Sequence, residues 1–441
     1  MASDSRPRFG TDGVRGRADT VLTDEYVCAL GRAAARVLGR ERWLIGRDTR
    51  ESGPRIEAAL ADGLTREGAD VSLLGVVPTP AVALASRDAG VPGAMISASH
   101  NSFADNGIKL FAAGGRKLAD DVQVQIEALL DGTFDPPAGS GRVDGAPSHV
   151  DRYVEWLIST MDGRRLDGVS LVLDAANGAA HVIGPRVLET LGASVLPLNV
   201  DPDGRNINAR CGSQHPEALR EAVLASGADL GLALDGDADR VVAVDASGEL
   251  VDGDQILAMC AVDMKATGRL RDDTIVVTVM SNLGLRIAMH DAGIAIDETP
   301  VGDRYVLEVL DRRGLSLGGE QSGHVIFHDL IATGDGLLTG LRVLDLMHRS
   351  GRPLADLAST MRRFPQVLVN VAVDVTDVEA RIAAEVAEIE RRLDGSGRVL
   401  IRASGTEPLV RVMVEAPTAE EAAELADHLA QAVVRTAESR P

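Results

Sequence analysis

Between Leu230 and Asp245 the chain reads LGLALDGDADRVVAVD: an apolar strand, three carboxylates at alternate positions, an arginine, and a second apolar strand. On an extended backbone Asp235, Asp237 and Asp239 would spread over ~13 Å, at ~3.3 Å per residue. A curled turn would instead gather their oxygens, and carboxylates that close repel unless protonated or neutralised by a cation. Mg²⁺ suits such a set, because it takes oxygen ligands and keeps positions for a phosphate oxygen. The chemistry implied is a metal beside a transferable phosphate. Three other readings stand next to it. An acidic turn between strands is often only solvated. A calcium loop wants Gly at its sixth position and Glu at its twelfth, where this chain has Arg240 and Ala246. A phosphatase would use Asp235 as nucleophile and Asp237 as acid.

Other stretches must decide. Met95–Lys109, MISASHNSFADNGIK, reads as a polar loop in which Ser97, Ser99 and Asn101 alternate, with His100 among them and Lys109 close by. Adjacent Ser and His rarely present imidazole to hydroxyl as a hydrolase triad needs, and the chain has no G-x-S-x-G elbow. A serine that carries a phosphoryl group fits better, its oxygens completing the coordination of a metal held by the aspartates. Arg402–Arg411, RASGTEPLVR, supplies what a dianionic phosphate needs: a close-approaching Gly405, hydroxyls from Ser404 and Thr406, and forked guanidiniums from Arg402 and Arg411. Gly318–His324, GGEQSGH, sets a carboxylate, an amide, a hydroxyl and an imidazole in a glycine-loosened loop, a set able to bind adjacent sugar hydroxyls. Thr299–Val306, TPVGDRYV, is a Gly-centred turn with an acid and a base. Gly334–Gly340 is one residue too long for a dinucleotide fingerprint and reads as a helix entry.

These turns need elements to hold them. Three segments repeat one strand–helix–strand plan: WLIGRDTR to ADVSLLG, SLVLDAANG to ASVLPL, and TIVVTVMSN to IAIDETP. Strands alternating with helices imply mainly parallel sheets, with ligands collecting at the strands' carboxyl ends; the polar turns Arg47–Arg50 and Asp174–Gly178 fall at such ends. The Gly-, Pro- and Asp-rich stretch Asp131–Ser148 reads as a linker. Softer breaks lie near Ser247–Asp254 and Arg362–Gln366. After the last, the pattern changes to a smaller α+β domain with an antiparallel pair. The expected domains are 1–148, 149–250, 251–364 and 365–441.

Composition narrows the function. At 441 residues several domains are expected. Aromatics are 2% and the net charge is −21, so stacking platforms and a nucleic-acid partner are excluded. Cys28, Cys211 and Cys260 form no C-x-x-C pattern, and buried thiols in a reduced compartment are expected. No apolar leader or bilayer-length stretch stands out, so no membrane partner and a cytoplasmic location are expected.

In order along the chain, FGTDGVRG (Phe9–Gly16), ISASHN (Ile96–Asn101), DGDADR (Asp235–Arg240), VGDRYV (Val301–Val306), GEQSGH (Gly319–His324) and RASGTEP (Arg402–Pro408) resemble the motifs of the α-D-phosphohexomutase family. The resemblance covers essentially the whole chain, and FGTDGVRG and VGDRYV look most like its bacterial amino-sugar branch. It implies an α/β fold: three repeated α/β domains with mixed, mainly parallel sheets and a smaller C-terminal α+β domain around a central cleft.

The reaction implied is interconversion of glucosamine 6-phosphate and glucosamine 1-phosphate through a hexosamine 1,6-bisphosphate, feeding UDP-N-acetylglucosamine and cell-wall precursors. By the same resemblance, Ser99 is the phosphorylated serine, and Asp235, Asp237 and Asp239 hold one Mg²⁺ with its phosphate. Arg15, His100, Lys109, Arg240 and His324 are charged or acid–base groups near it. Thr299, Gly302, Asp303 and Arg304 lie in the loop that senses which end of the sugar is presented. Glu320 and Ser322 contact sugar hydroxyls; Arg402, Ser404, Gly405, Thr406 and Arg411 form the distal phosphate site. A kinase or a bisphosphate would first charge the serine, and the chain would be a monomer or homodimer. Many members have Pro where this chain has Ser102, which removes a stiffener but no catalytic group. The alternatives are a phosphoglucomutase or phosphomannomutase of the same family, an aspartate-nucleophile sugar phosphatase, or a non-catalytic binding module.

Overall fold

A computed structural model describes residues 7–136, 139–373, 378–403 and 409–438. The chain forms two compact units, Met1–Met280 with Ile294–Ser359, and Ser281–Gly293 with Thr360–Pro441. Among the described residues no helix is long and apolar enough to cross a membrane.

The first unit holds three mixed sheets in chain order. The first joins β1 (Val14–Arg17), β2 (Arg42–Arg47), β3 (Asp70–Val76), β4 (Gly93–Ile96), β5 (Asp105–Ala112), β6 (Arg116–Lys117) and β7 (Val143–Gly145). Its order is β1-β5-β4-β2-β3-β7, with β6 paired to β5; β4, β2, β3 and β7 run parallel and β5 reverses beside β4. The second contains β8 (Ser170–Asp174), β9 (Ser194–Leu198), β10 (Leu230–Leu234), β11 (Val241–Asp245) and β12 (Leu250–Val251), ordered β12-β11-β10-β8-β9. The third contains β13 (Thr274–Thr278), β14 (Ala295–Thr299), β15 (Leu317–Gly319) and β16 (Val325–Phe327), ordered β14-β13-β15-β16. The repeated plan is present: β2–β3, β8–β9 and β13–β14 are parallel pairs, each joined through a helix. In the second unit β17 (Gln366–Val371), β18 (Arg398–Ala403) and β19 (Val410–Glu415) form an antiparallel sheet ordered β17-β19-β18.

The cores are aliphatic, as the scarcity of aromatics requires. Leu30, Ile45, Leu60, Ile96 and Ile108 pack without exposure beside Trp43 in the first sheet's core. Each such side chain contributes roughly 1.5–3 kcal/mol of burial. In the second unit Val399, Ile401, Val412 and Val414 share a core with Leu425, Leu429 and Val433 of the helix Ala419–Glu438.

Three expectations are corrected. Asp131–Ser148 is not all linker: β7 lies within it and pairs parallel with β3, because the open edge of β3 takes a partner, Val71 donating to Arg142 O at 2.7 Å and Ala146 to Leu73 O at 2.8 Å. Met95–Lys109 is not one loop: β4 and β5 claim its ends, which puts Lys109 on a strand and leaves the loop at residues 97–104. Of the thiols, Cys211 and Cys260 are buried but Cys28 is half-buried.

Candidate active site

The three aspartates curl inward. β10 and β11 are antiparallel neighbours with every residue buried, and the turn between them passes through Ala238 at φ +55°. One oxygen from each of Asp235, Asp237 and Asp239 lies within 4.8 Å of the others. Burial, then Asp239 and Asp237, pushes the Asp235 carboxyl well above its usual range, as like charges do without a counter-ion. Asp237 Oδ1 and Asp239 Oδ1 are buried with no hydrogen-bond partner. Buried, mutually repelling, unsatisfied carboxylate oxygens fit a hard divalent cation.

Ser99 reaches this cluster from the loop between β4 and β5. Its Oγ donates to Asp235 Oδ2 at 2.6 Å, and its φ of +52° is left-handed, a strain of about 1–3 kcal/mol for a residue with a Cβ. The surroundings enforce it. Arg50, without exposure, donates to the carbonyls of Ser99 at 3.0 Å, Asn101 at 2.8 Å and Asp105 at 3.0 Å, and also to that of Ser102. Asp48 holds Arg50 at 2.8 Å and accepts from Ser97 Oγ at 2.7 Å, and Asn208 donates to Ser99 O and Asn101 O, both at 2.9 Å. At Gly236 a Cβ would come within 2.6 Å of Ser99 O, so only glycine lets the two turns meet.

Lys109 Nζ donates to Asp237 Oδ2 at 2.7 Å and Asp239 Oδ2 at 2.8 Å, and lies 3.0 Å from Asp12 Oδ2. Burial opposes its charge, yet Asp12, Asp237 and Asp239 hold the ammonium well above its ordinary pKa. Asp12 also pairs with Lys117 and Arg15, and Lys117 with Asp303. Asp303 Oδ2 lies 3.3 Å from His324 Nε2, and His324 Nδ1 lies 3.7 Å from Asp239 Oδ1. The result is a closed ring of contacts, Asp239, Lys109, Asp12, Lys117, Asp303 and His324, in which His324 Nε2 also accepts from Gly334 N at 3.0 Å. Burial disfavours the His324 imidazolium, but Asp303 and Asp239 outweigh it and raise the pKa. Burial also works against ionised Asp12, but Lys109, Lys117 and Arg15 hold it well below the usual carboxylate range.

The remaining groups expected near Ser99 gather there too. His100 Nδ1 is 3.2 Å from Ser99 Oγ; burial, then Arg240 and Arg15, lowers its pKa to about 4, so the ring is neutral at physiological pH. Arg240 Nε lies 3.8 Å from Asp239 Oδ1. Both Arg240 Nε and Arg15 Nε are buried and unpartnered. The two sugar-loop motifs meet each other: Gly302 N donates to Glu320 Oε1 at 3.2 Å, and Asp303 faces His324. Thr299 is buried at the end of β14, Arg304 pairs with Asp120 over the Tyr305 ring, and Ser322 Oγ is buried without a partner.

In the second unit, Arg402 and Arg411 stand directly opposite each other on β18 and β19. Burial, then Arg411, lowers the Arg402 pKa, and Arg402 Nε is buried without a partner. Two facing guanidiniums repel and concentrate positive charge at this point of the sheet. Ser404, Gly405 and Thr406 lie outside the described residues.

Sequence reasoning passed over Asp12, Lys117, Thr79, Arg50 and Asn208. Thr79 Oγ1 donates to Asp237 Oδ2 at 2.5 Å. Arg50 had a signal, a polar turn at a strand's carboxyl end, and Asp12 sits in the FGTDGVRG motif three residues before Arg15. Lys117, Thr79 and Asn208 carry none.

Comparison with known proteins spans the chain. Models described as phosphoglucomutase/phosphomannomutase α/β/α domains I, II and III match residues 6–135, 149–248 and 252–364, and the C-terminal domain of that family matches 368–432. The chain is 54% identical to a phosphoglucosamine mutase of Rhodococcus opacus, covering 96% of this chain and 98% of that one. It is 53% identical to that of Rhodococcus jostii, with coverage of 96% and 98%. A crystal structure of a phosphoglucomutase/phosphomannomutase family protein from Burkholderia thailandensis superposes with a TM-score of 0.82 at 26% identity, over 99% of this chain and 98% of that one.

Proposed function

The chain belongs to the phosphoglucomutase/phosphomannomutase family, and on that footing we propose that it interconverts glucosamine 6-phosphate and glucosamine 1-phosphate, the phosphoglucosamine mutase reaction. It is an enzyme of the phosphotransferase and isomerase kind. The observation that carries the reading is the serine hydroxyl 2.6 Å from one of three clustered carboxylates. The amino-sugar preference rests on the names of its close relatives.

In this reading Ser99 Oγ carries the phosphoryl group. The substrate's own phosphate is held by Arg402, Ser404, Gly405, Thr406 and Arg411. The free sugar hydroxyl attacks phosphorus, the P–Oγ bond breaks as the new P–O bond forms, and the product is the 1,6-bisphosphate. After the sugar turns over, Ser99 takes the other phosphoryl group by the reverse step. His100, neutral and 3.2 Å from Oγ, accepts the attacking hydroxyl's proton and passes it to Oγ as the P–Oγ bond breaks; Lys109, charged among three carboxylates, is suited to neutralising phosphoryl oxygens rather than to base chemistry. Arg15 and Arg240, each with a buried unpartnered Nε, aim positive charge at the same place, where a loose transition state spreads negative charge. Asp235, Asp237 and Asp239, with an oxygen of the group on Ser99, would hold Mg²⁺, which supplies further positive charge to the transferring group. Thr299, Gly302, Asp303, Arg304, Glu320, Ser322 and His324 read the sugar's orientation and hydroxyls. Ser99 rather than Asp235 is favoured as carrier because Asp235 Oδ2 already accepts the serine's proton. The domain limits after 148, 250 and 364 belong to the same reading and are supported by the family-model matches.

The test is to compare kcat/KM on glucosamine 6-phosphate, glucose 6-phosphate and mannose 6-phosphate after charging the enzyme with a hexose bisphosphate. The amino sugar should be preferred at least tenfold. Equal or better turnover of the 2-hydroxy sugars overturns the substrate assignment, and release of free phosphate without isomerisation overturns the reaction class.

A further inference from the structure

The helices Ser148–Ser159, Gly253–Ala266 and Gly336–Ser350 border a cavity of about 470 Å³, which includes none of the residues placed in the active site. Much of its lining is apolar: Met264, Phe327 and Leu346 are buried and Trp156 half-buried. Burial pushes the Cys260 thiol in this wall up to about 12, which makes it a neutral surface and not a nucleophile.

The polar lining is unevenly paired. Arg269 and Arg349 share Asp263, each at 2.8 Å. Arg349 also shares Asp345 with Arg164, at 2.9 and 2.5 Å, and Arg271 takes Asp329 at 2.7 Å. Each of these carboxylates is engaged, and none pairs with Arg342. That guanidinium donates to Thr160 O at 2.7 Å, while its Nε is buried with no partner. Burial pulls its pKa down, and the more distant charges of Asp345 and Asp162 offset this only in part. A chamber with an apolar wall and one forked cation held in no ion pair is suited to orient a ligand with an apolar body and an anionic end.

We propose that this cavity is a second ligand site, taking a small organic anion whose carboxylate or phosphate is bound by Arg342 and whose apolar body packs on Trp156, Met264, Phe327 and Leu346. The helix that carries Arg342 begins at Gly336, whose N–H donates to Ala238 O in the aspartate turn at 2.9 Å. Gly336 and Arg342 lie about 9 Å apart along this helix, at 1.5 Å per residue.

Trp43 and Trp156 are the chain's two tryptophans, so Trp43→Phe leaves Trp156 as the sole reporter. Titrating that full-length protein with phenyl phosphate, benzoate and benzyl alcohol should give a saturable change in Trp156 emission for the anions and none for the alcohol. The tighter of the two anions identifies phosphate or carboxylate as the preferred head. Arg342→Met should weaken anion binding at least tenfold with the mutase activity unchanged. Leu346→Phe, which fills the chamber and keeps Arg342, should abolish the response and stands in if the arginine variant does not fold. Linear quenching by both anions, an equal response to the alcohol, or a response indifferent to the variant that folds overturns the site.

Discussion

Ser99 and Asp235 lie 136 residues apart and share a hydrogen bond of 2.6 Å. A loop of the first sheet and a turn of the second are thus fixed to one point, with Ser99 in a backbone conformation its Cβ disfavours. Ser99→Ala should keep the fold, since Arg50 and Asn208 grip carbonyls and not the hydroxyl. Turnover should fall on the order of 10³-fold or more, as for loss of a covalent nucleophile. Intact mass of the active protein should carry one added phosphate that the variant lacks; a variant with near-full activity sinks the assignment.

Three buried acids with orphaned oxygens should bind a cation even without substrate. Adding Mg²⁺ to the unphosphorylated protein should raise its thermal midpoint, with about 3 kcal/mol of stabilisation at a hundred times the Kd. Asp237→Asn should remove most of that shift. Calorimetry with and without chelator reads it, and an equal Mg²⁺ response in the variant would count against the triplet.

Asp12 meets Lys109, Lys117 and Arg15 at once. Asp12→Asn leaves those cations short of one negative charge in a buried place, which costs about 3–5 kcal/mol when one member of a buried ion pair is removed. Urea unfolding should show that loss; a change below 1 kcal/mol would mean the ring is not a structural unit.

Much of this arrangement was legible because it is local. The triplet Asp235, Asp237 and Asp239 and the Ser99 loop are each short runs with unusual residue spacing, and the strand–helix–strand repeats announce themselves through periodicity. The ring was not legible. Asp303 was expected in the sugar loop and Asp12 sits in a motif, but nothing in the sequence joins them through Lys117, a single charged residue on a two-residue strand. Arg50 was placed in a polar turn at a strand's carboxyl end, but its grip on the serine loop shows only once its partners are known. β7 was hidden for a different reason: Val-Asp-Gly has no alternation, and only the open edge of β3 makes it a strand.

Asp335 caps the helix Gly336–Ser350 and accepts from Tyr153 at 2.9 Å; burial raises its pKa to about 7. The folded protein keeps a proton there that the unfolded chain loses near its ordinary value of about 4. Its contribution to stability is therefore complete below pH ~4 and declines as pH rises through about 7. Denaturant unfolding at pH 5 and pH 8 should show a larger drop for the wild-type chain than for Asp335→Asn. Equal drops would refute the assignment.

Arg411 faces Arg402 across β18 and β19. Arg411→Ala should raise KM by roughly 10–100-fold, the worth of a charged hydrogen bond of about 1.5–3 kcal/mol, with a smaller effect on kcat. Steady-state kinetics check it; an unchanged KM removes the arginine from the phosphate seat.

Arg50 reaches the serine loop only through main-chain oxygens. Carbonyls are present whatever side chains the loop displays, so this restraint comes from outside and adds to the one that Ser97 Oγ makes with Asp48. At Ser102 the main-chain carbonyl is held by a guanidinium some fifty residues earlier, so the segment is stiffened without a proline ring of its own. Residue identity at such positions is freer to follow chemistry, while part of the duty of holding still has been moved to the turn after β2.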